Sequence, residues 1–406
     1  MPWPGARALR HRDYRLFSAG QIVSLIGTWM QSVGQAWLVL ELTDSPFKLG
    51  LLGALQWGPM LVFAFLSGAI ADRVRKRRLI IGTQSALMVQ ALALSVLAWT
   101  GHVRYWHVAV LAALYGLATT LDMPARQSFM IDLVGKADLP GAIALNSAVF
   151  NGARVVGPAV AGLLVARYGV APAFLLNGLS FLAVIGALWA IRTEGDPRPR
   201  TGATVVEDIA EGARYAAETP LVALILGLSL AVSLFVLNYN TLVPLLARDV
   251  LHEGAHGFGL LMTALGGGAV AGALALARLD AGRPPLWLLM WAGVVASAST
   301  LALSLVRHFG VAAAVLAVAG CSQILFAASC NTTLQVVTPD QLRGRMMSLY
   351  AWVFVGSAPI GALFIGATAE AFGVSAACAA GGGAGLLLVL VLSSIEMRRG
   401  ARRPAP

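Results

Sequence analysis

The chain has 406 residues, 58% of them hydrophobic and only 12% charged, with a mean hydropathy of +0.76. That balance excludes a soluble globular domain, in which about a quarter of residues are charged. The net charge of +10 would suit a nucleic-acid partner, but of the 29 Lys and Arg residues only Lys48, Arg104, Arg167, Arg248 and Arg307 fall on predicted outer segments and Arg154 within a span, so the basic excess reports membrane topology.

Residues 1–15 are basic and polar, ending in Arg10-His-Arg-Asp-Tyr-Arg15. Span 1 follows at about 16–40, long enough to cross a bilayer. It lacks a small-residue cleavage pattern and is expected to stay uncleaved, with the N-terminus inside. Gln21, Ser24, Thr28, Gln31 and Gln35 fall on one helical face. Gly20, Gly27 and Gly34 form a neighbouring seam for close helix contact. A polar face inside a bilayer looks onto protein or a water-filled cavity. The stripe therefore serves either a substrate or hydrogen bonds between helices.

Glu41-Leu-Thr-Asp-Ser-Pro46 is the first outer loop. Spans 2 and 3, at about 46–70 and 79–100, flank Gly68-Ala-Ile-Ala-Asp-Arg-Val-Arg-Lys-Arg-Arg-Leu-Ile80. The basic residues of this loop place it on the cytoplasmic side. Gly101 to Trp106 is an outer turn, and span 4 starts near His107. Its face Tyr115, Thr119, Asp122, Arg126 has helical spacing, so Asp122 either pairs with Arg126 at i,i+4 or carries a proton. An inner segment, Pro124 to Pro140, leads to span 5 at about 141–166, which carries Ser147, Asn151, Arg154 and Pro158 on one face. A lone arginine at mid-depth costs several kcal/mol unless paired or hydrated. Arg154 therefore either lines a cavity and holds an anion or a carboxylate, or pairs structurally with an acid on a neighbouring helix. Span 6 covers about 171–191.

Arg192 to Thr219 is the long hydrophilic stretch. Glu194-Gly-Asp-Pro-Arg-Pro-Arg200 reads as a linker, and Thr204-x-x-Glu207 as a capping box. Val206, Ile209, Ala213 and Ala217 oppose Asp208, Glu211 and Glu218, which predicts an amphipathic helix on the cytoplasmic surface. Spans 7 to 12 fall at about 221–246, 257–277, 286–306, 310–336, 344–370 and 374–395, before a basic tail, Arg398-Arg-Gly-Ala-Arg-Arg403. The predicted domains are a first bundle over 1–191, a linker with its helix over 192–219, and a second bundle with the tail over 220–406. Cys321, Cys330 and Cys378 read as small packing residues. His252 and His256 have a metal-compatible spacing but no second pair of ligands, so no metal is expected.

The halves repeat. Gly157, Gly162, Gly169 and Val170 return as Gly361, Gly366, Gly373 and Val374 at one constant offset, and Gly68 returns as Gly272. Duplication near half the length is the sign of a transporter built from two parallel bundles.

The pattern Gly-x-Ile-Ala-Asp-Arg with the following Arg and Lys resembles the signature loop between helices 2 and 3 of the major facilitator superfamily. Arg75 stands where the superfamily's commonest form has glycine; if the turn there needs a left-handed residue, arginine costs about 1 kcal/mol. Gly157-Pro158-Ala-Val-Ala-Gly162 approximates the Gly-Pro signature on helix 5 of exporters that exchange drugs for protons, with Ala161-Gly162 in place of Gly-Gly. Pro124-Ala-Arg-Gln127, Ala144-Leu-Asn-Ser147, Asn331-Thr-Thr-Leu-Gln335, Leu342-Arg-Gly-Arg-Met-Met-Ser-Leu-Tyr350 and the run from Asn238 to Asp249 look like the branch containing the enterobactin exporter. That branch does not share one substrate.

The resemblance implies an all-α membrane protein of about twelve transmembrane helices in two pseudo-symmetric six-helix bundles. It implies a bacterial inner-membrane location with both termini cytoplasmic, and export of a siderophore, drug or metabolite by proton-coupled alternating access. Helices 1, 4, 7 and 10 would line the cavity. The expected substrate-binding residues are Gln31, Gln35, Arg154, Asn238, Asn240 and Gln323, whose amides and guanidinium can meet an oxygen-rich ligand. Asp72 and Arg73 would latch the start of span 11, near Thr338, with Arg343 and Arg345 as further partners. The alternative for Arg75 to Arg78 is topology anchoring alone. Proton coupling needs a titrating carboxylate; Asp122 and Glu41 are the candidates, both near span ends. The expected partners are a small molecule and membrane lipid, without nucleic acid, cofactor or metal, and the chain is expected to act as a monomer. No Walker-type loop supports ATP drive, and no clustered His/Asp set supports an enzyme. An importer, a uniporter or a non-transporting accessory membrane protein stays open.

Overall fold

The structure, a computed structural model, describes residues 7–197, 205–278 and 284–401, and the regular elements among them are all helical. The Thr204 cap, Asp280 and Arg283 of the run Ala277 to Arg283 that stands in the second half where the first has its basic loop, and Arg402 and Arg403 of the tail lie outside the described residues. The chain divides into two compact units, one of Met1–Asp44, Leu55–Thr201 and Glu253–Thr263, the other of Ser45–Ala54, Gly202–His252 and Ala264–Pro406.

The first unit contains α1 (Arg12–Thr43), most of α2 (Pro46–Arg73), α3 (Lys76–Trp99), α4 (Tyr105–Tyr168) and α5 (Ala171–Ala190). At about 1.5 Å per residue an unbroken α4 would reach roughly 100 Å, some three bilayer cores. Gly135 breaks it, with φ 72° and ψ 170°, a backbone region open to glycine alone. The helix thus runs on through Pro124 and turns at Gly135, within the inner segment expected over Pro124 to Pro140. Around this turn Tyr14, Phe17, Ile80, Phe129, Leu133 and Leu188 form a buried cluster. The glycine seam does bring α1 onto α5: a Cβ on Gly20 would lie 2.9 Å from the Ala183 carbonyl.

The second unit holds α6 (Val205–Glu218), α7 (Pro220–Phe235), α8 (Tyr239–Leu245), most of α9 (Ala255–Ala277), α10 (Leu286–Leu303), α11 (Phe309–Val337), α12 (Asp340–Gly356), α13 (Ala358–Phe372) and α14 (Val374–Ala401). Span 7, expected as one helix, is interrupted between α7 and α8 and ends in a π-helical turn, Leu246–Val250. Asn238 sits at the interruption, and its Nδ2 donates to the Leu234 carbonyl at 2.9 Å and to that of Ser233 at 3.3 Å. The side chain thereby satisfies acceptors released by the broken ladder. Span 11 is likewise divided at Ser357, because Pro359 has no N–H with which to continue α12. Close packing recurs: a Cβ on Gly320 would lie 1.9 Å from the Leu265 carbonyl, and one on Gly116 in the first unit 2.3 Å from that of Gln56.

Among the described residues ten helical stretches are long and apolar enough to cross a membrane. Helix α1 falls below that threshold because its polar stripe dilutes an otherwise apolar helix.

Candidate functional site

The loop between α2 and α3 is built around a lysine. Lys76 is fully buried, with its Nζ 3.0 Å from the Asp132 carboxylate on α4 and 2.8 Å from the Asp196 carbonyl. Its backbone N–H donates to the Gly195 carbonyl at 3.0 Å. Arg75 and Arg77 grip Glu194 at 3.1 and 3.2 Å, and Arg77 also donates to the Leu188 and Trp189 carbonyls at the end of α5. Residues 192–197, read from composition as the start of a linker, therefore form a strap tied across this loop. The far edge is tied by Asp13, which accepts from the Arg192 and Thr193 amides at 3.0 Å and from the Thr193 hydroxyl at 2.9 Å. Burial pushes the Asp13 carboxyl up, but the Thr193 and Arg192 hydrogen bonds, with the Arg12 guanidinium, hold it below its ordinary value. Nearby, the His11 hydrogen bond at 2.9 Å, with the charge of Arg7, holds Asp138 low against its desolvation. Arg75 is the N-cap of α3 with φ −58°, so the turn asks for no left-handed residue and the anticipated cost does not arise. Asp72 is half-buried and Arg73 exposed beside it.

The polar stripe of α1 is buried and spent largely on neighbouring helices of its own unit. The Gln31 Nε2 donates to Gln90 Oε1 at 2.9 Å, and Gln31 Oε1 accepts from Asn177 Nδ2 at 2.7 Å. Gln35 Oε1 accepts from Gln56 Nε2 at 3.2 Å. Thr28 turns back to the Ser24 carbonyl at 2.9 Å. Gln21 accepts from Arg126, which also pairs with Asp122. The other Asp122 oxygen accepts from Thr83 at 2.7 Å and Gln84 at 3.1 Å. Asp122 is thus the centre of a five-residue polar knot, buried but for Arg126, in which Gln21 Nε2, Gln84 Oε1 and Arg126 Nε find no hydrogen-bond partner among the described residues. Glu41 lies apart from it, exposed near the end of α1.

Arg154 is 8% exposed, near the middle of the helix that follows Gly135, with its guanidinium 5.8 Å from the Trp29 ring centroid. Trp29 in turn meets Phe150 edge to face at 5.8 Å. In the second unit Asn238 is buried, Asn240 exposed and Gln323 half-buried. Arg343 bonds the Gln335 carbonyl at 2.9 Å and pairs with Asp340, while Arg345 pairs with Glu211 of α6. Glu370, at the end of α13, caps the first turn of α2 by accepting from the Ser45 hydroxyl at 2.9 Å and the Phe47 amide at 3.1 Å. Among the described residues no three His, Cys, Asp or Glu side chains gather as a metal site.

Sequence reasoning passed over Gln90, Asn177, Asp132 and Glu370, and placed Lys76 only in the basic loop and Glu194 only in a linker. Polar residues in spans 3 and 6 were visible signals for the first two. Nothing in local spacing marks Glu194 or Glu370, whose partners are more than a hundred residues away in the chain.

A family model described as a transmembrane secretion effector of major facilitator type matches residues 5–402. The multidrug efflux pump Tap of Mycolicibacterium fortuitum is 26% identical over 86% of this chain and 87% of its own length. The enterobactin exporter EntS of Salmonella typhi is 27% identical over 97% and 95%. The crystal structure of the nucleoside transporter NupG superposes with a TM-score of 0.73 at 10% identity, covering 95% of this chain and 99% of that one, a likeness of fold alone.

Proposed function

The chain belongs to the transmembrane secretion effector family of the major facilitator superfamily, a multi-pass membrane protein of a transporter family, and from that premise we propose that it is a proton-coupled exporter of a small organic molecule. Twelve spans follow when α1 is added to the ten stretches and α4 is read as two spans meeting at Gly135. The two units then correspond to two six-helix bundles working by alternating access in the bacterial inner membrane, with both termini and the 73–78 loop on the cytoplasmic face. The similarity to Tap and EntS supports export and a siderophore, drug or metabolite as cargo.

One observation carries the mechanism: ionisable side chains are enclosed within apolar spans, Asp122 with Arg126 and Arg154 over Trp29. Charges at that depth mark substrate and ion paths. Asp122 is the proposed proton carrier, because protonation would release Arg126 and the two amides it organises. Arg154 is the proposed ligand anchor of the first unit, and Gln323, Asn238 and Asn240 are proposed ligand contacts within the second. The loop of Asp72 and Arg73, anchored through Lys76, is the proposed switch element.

Accumulation of a drug and metabolite panel in cells with and without the protein, each with and without a protonophore, tests this. A compound that builds up only in its absence, and builds up again under protonophore in cells that contain it, is the expected cargo. A compound that fails to enter cells lacking the protein reverses the direction.

A further inference from the structure

We propose that the end of α5, with Arg12, Arg192 and Trp189, is a binding site for an anionic phospholipid of the phosphatidylglycerol class. Its phosphate would meet the two guanidiniums, and an acyl chain would lie along the helix. The inference goes beyond the transporter reading: it rests on α5 being one of the stretches long and apolar enough to cross a membrane, not on what the protein moves. Every contact it uses lies within the first unit. The helix presents an uncovered apolar stripe. Leu176, Leu179, Leu182 and Trp189 are exposed on one helical face, while Phe174, Phe181, Val184 and Leu188 on the other side are buried. On a membrane span such a stripe is covered by lipid chains, which are as apolar as leucine. Trp189, 70% exposed, closes the stripe at the end of the span, the level at which indoles sit against headgroups.

Guanidiniums are fixed at that same end. Arg77 of α3 donates to the Leu188 and Trp189 carbonyls, and Arg12 of α1 donates to that of Ala190 at 3.3 Å. A helix C-terminus favours cations, so both are held in place. Arg77 is spent there and on Glu194. Arg12 keeps an open edge: its Nη1 makes both of its bonds, to Ala190 and Asp13, whereas Nε and Nη2 make none among the described residues and the side chain is 52% exposed. Arg192, just past the helix, is exposed, and its guanidinium enters no hydrogen bond or ion pair among the described residues. The local carboxylates are already engaged. Glu194 pairs with Arg75 and Arg77, and Asp13 divides its oxygens between Arg12 and the strap. Positive charge is therefore left over where the span meets the headgroups. A phosphate takes charge-assisted bonds from it, and each such arginine contributes about fivefold in affinity. A zwitterionic lipid brings an ammonium against the same arginines and loses that gain.

The test is native mass spectrometry of the full-length chain from micelles holding dioleoyl-phosphatidylglycerol and dioleoyl-phosphatidylcholine in equal amounts. The anionic lipid is expected to be retained about tenfold over the zwitterionic one. Arg192→Gln and Arg12→Gln should each cut that preference about fivefold, and Trp189→Ala about threefold, with Trp189→Phe retaining most of it. Arg167→Gln, at an exposed arginine at the end of α4, should leave it unchanged. Dihexanoyl-phosphatidylglycerol, which keeps the charge and shortens the chain, should bind at least about tenfold more weakly. Equal retention of the two dioleoyl lipids, or a loss as large in Arg167→Gln as in Arg192→Gln, overturns the site. Displacement of the lipid by glycerol 3-phosphate points to a soluble phosphate ligand and overturns it too. So does a dimer that Trp189→Ala abolishes, which would give the face to a second copy of the chain. If Arg12→Gln does not fold, Arg192→Gln, whose side chain bonds nothing, and the lipid series decide. Anionic preference with no compound transported in the accumulation assay overturns the transporter reading alone. Transport with equal retention of both lipids overturns the lipid site alone.

Discussion

Lys76 and Asp132 form an ion pair at 3.0 Å in which the lysine side chain is wholly enclosed. Burying two charges costs several kcal/mol before their attraction is counted, so such a pair is fragile to the loss of one partner. Asp132→Ala should lower the stability of the purified protein by about 3 kcal/mol. Adding Lys76→Met should restore most of that loss. Thermal unfolding in detergent reads both, and a double variant as unstable as the single one would show that the pair is not the cause.

The Asp13 tie gives the strap a pH dependence. The folded-state value lies below the ordinary 3.8, so its contribution is complete above 3.8 and is lost as pH falls through the lower folded value. Hydrogen exchange at the Arg192 and Thr193 amides, corrected for intrinsic rates, should show protection at neutral pH that collapses only below about pH 3.8. Asp13→Asn should show weak protection throughout. Protection that ignores both pH and substitution would remove the carboxylate from the account.

Glu370 acts as a helix cap supplied from another helix. Glu370→Ala and Ser45→Ala should each lower the unfolding temperature in line with about 1 kcal/mol. The double variant should cost less than the sum of the singles, since they share the Ser45–Glu370 bond, yet more than either, since Glu370 also holds the Phe47 amide and the Ser45 hydroxyl also accepts from the Lys48 amide. Glu370→Gln, which keeps an acceptor oxygen, should fall between. Full additivity would separate the two residues.

Glycines that look alike in sequence should behave oppositely. Gly116→Ala and Gly320→Ala drive a methyl against backbone oxygens and should destabilise by about 1–3 kcal/mol. Gly152→Ala meets nothing within 4 Å and should be neutral or stabilising by about half a kcal/mol. Melting temperatures of the three variants are sufficient; a stable Gly320→Ala would mean that the helices can part there.

The stripe of α1 was legible in the chain because helical periodicity fixes which residues share a face. Its use was not, since Gln90 and Asn177 lie on other helices and no period links them to Gln31. The duplicated glycines were legible as well: Gly157, Gly162, Gly361 and Gly366 are demanded by close packing, and Gly169 and Gly373 by a positive φ. The Gly135 break escaped notice behind Pro124 and Pro140, which draw attention as helix breakers, yet both sit inside helix. Pro124 lies deep inside the helix and Pro140 in the second turn after the break, so neither marks the turn, whereas the backbone angle at Gly135 is visible only in three dimensions. Glu194 was hidden by its composition, since a charged residue among glycine and proline reads as linker until its arginine partners are seen.

Gly195 and Asp196 touch the same lysine through their carbonyls. Gly195 has φ 67°, and a Cβ on it would lie 2.8 Å from the Phe129 ring, whereas the Asp196 side chain points into solvent. A saturation library would therefore record position 195 as intolerant and position 196 as almost blank. Mutational tolerance, taken alone, would hide half of the contact that holds the loop.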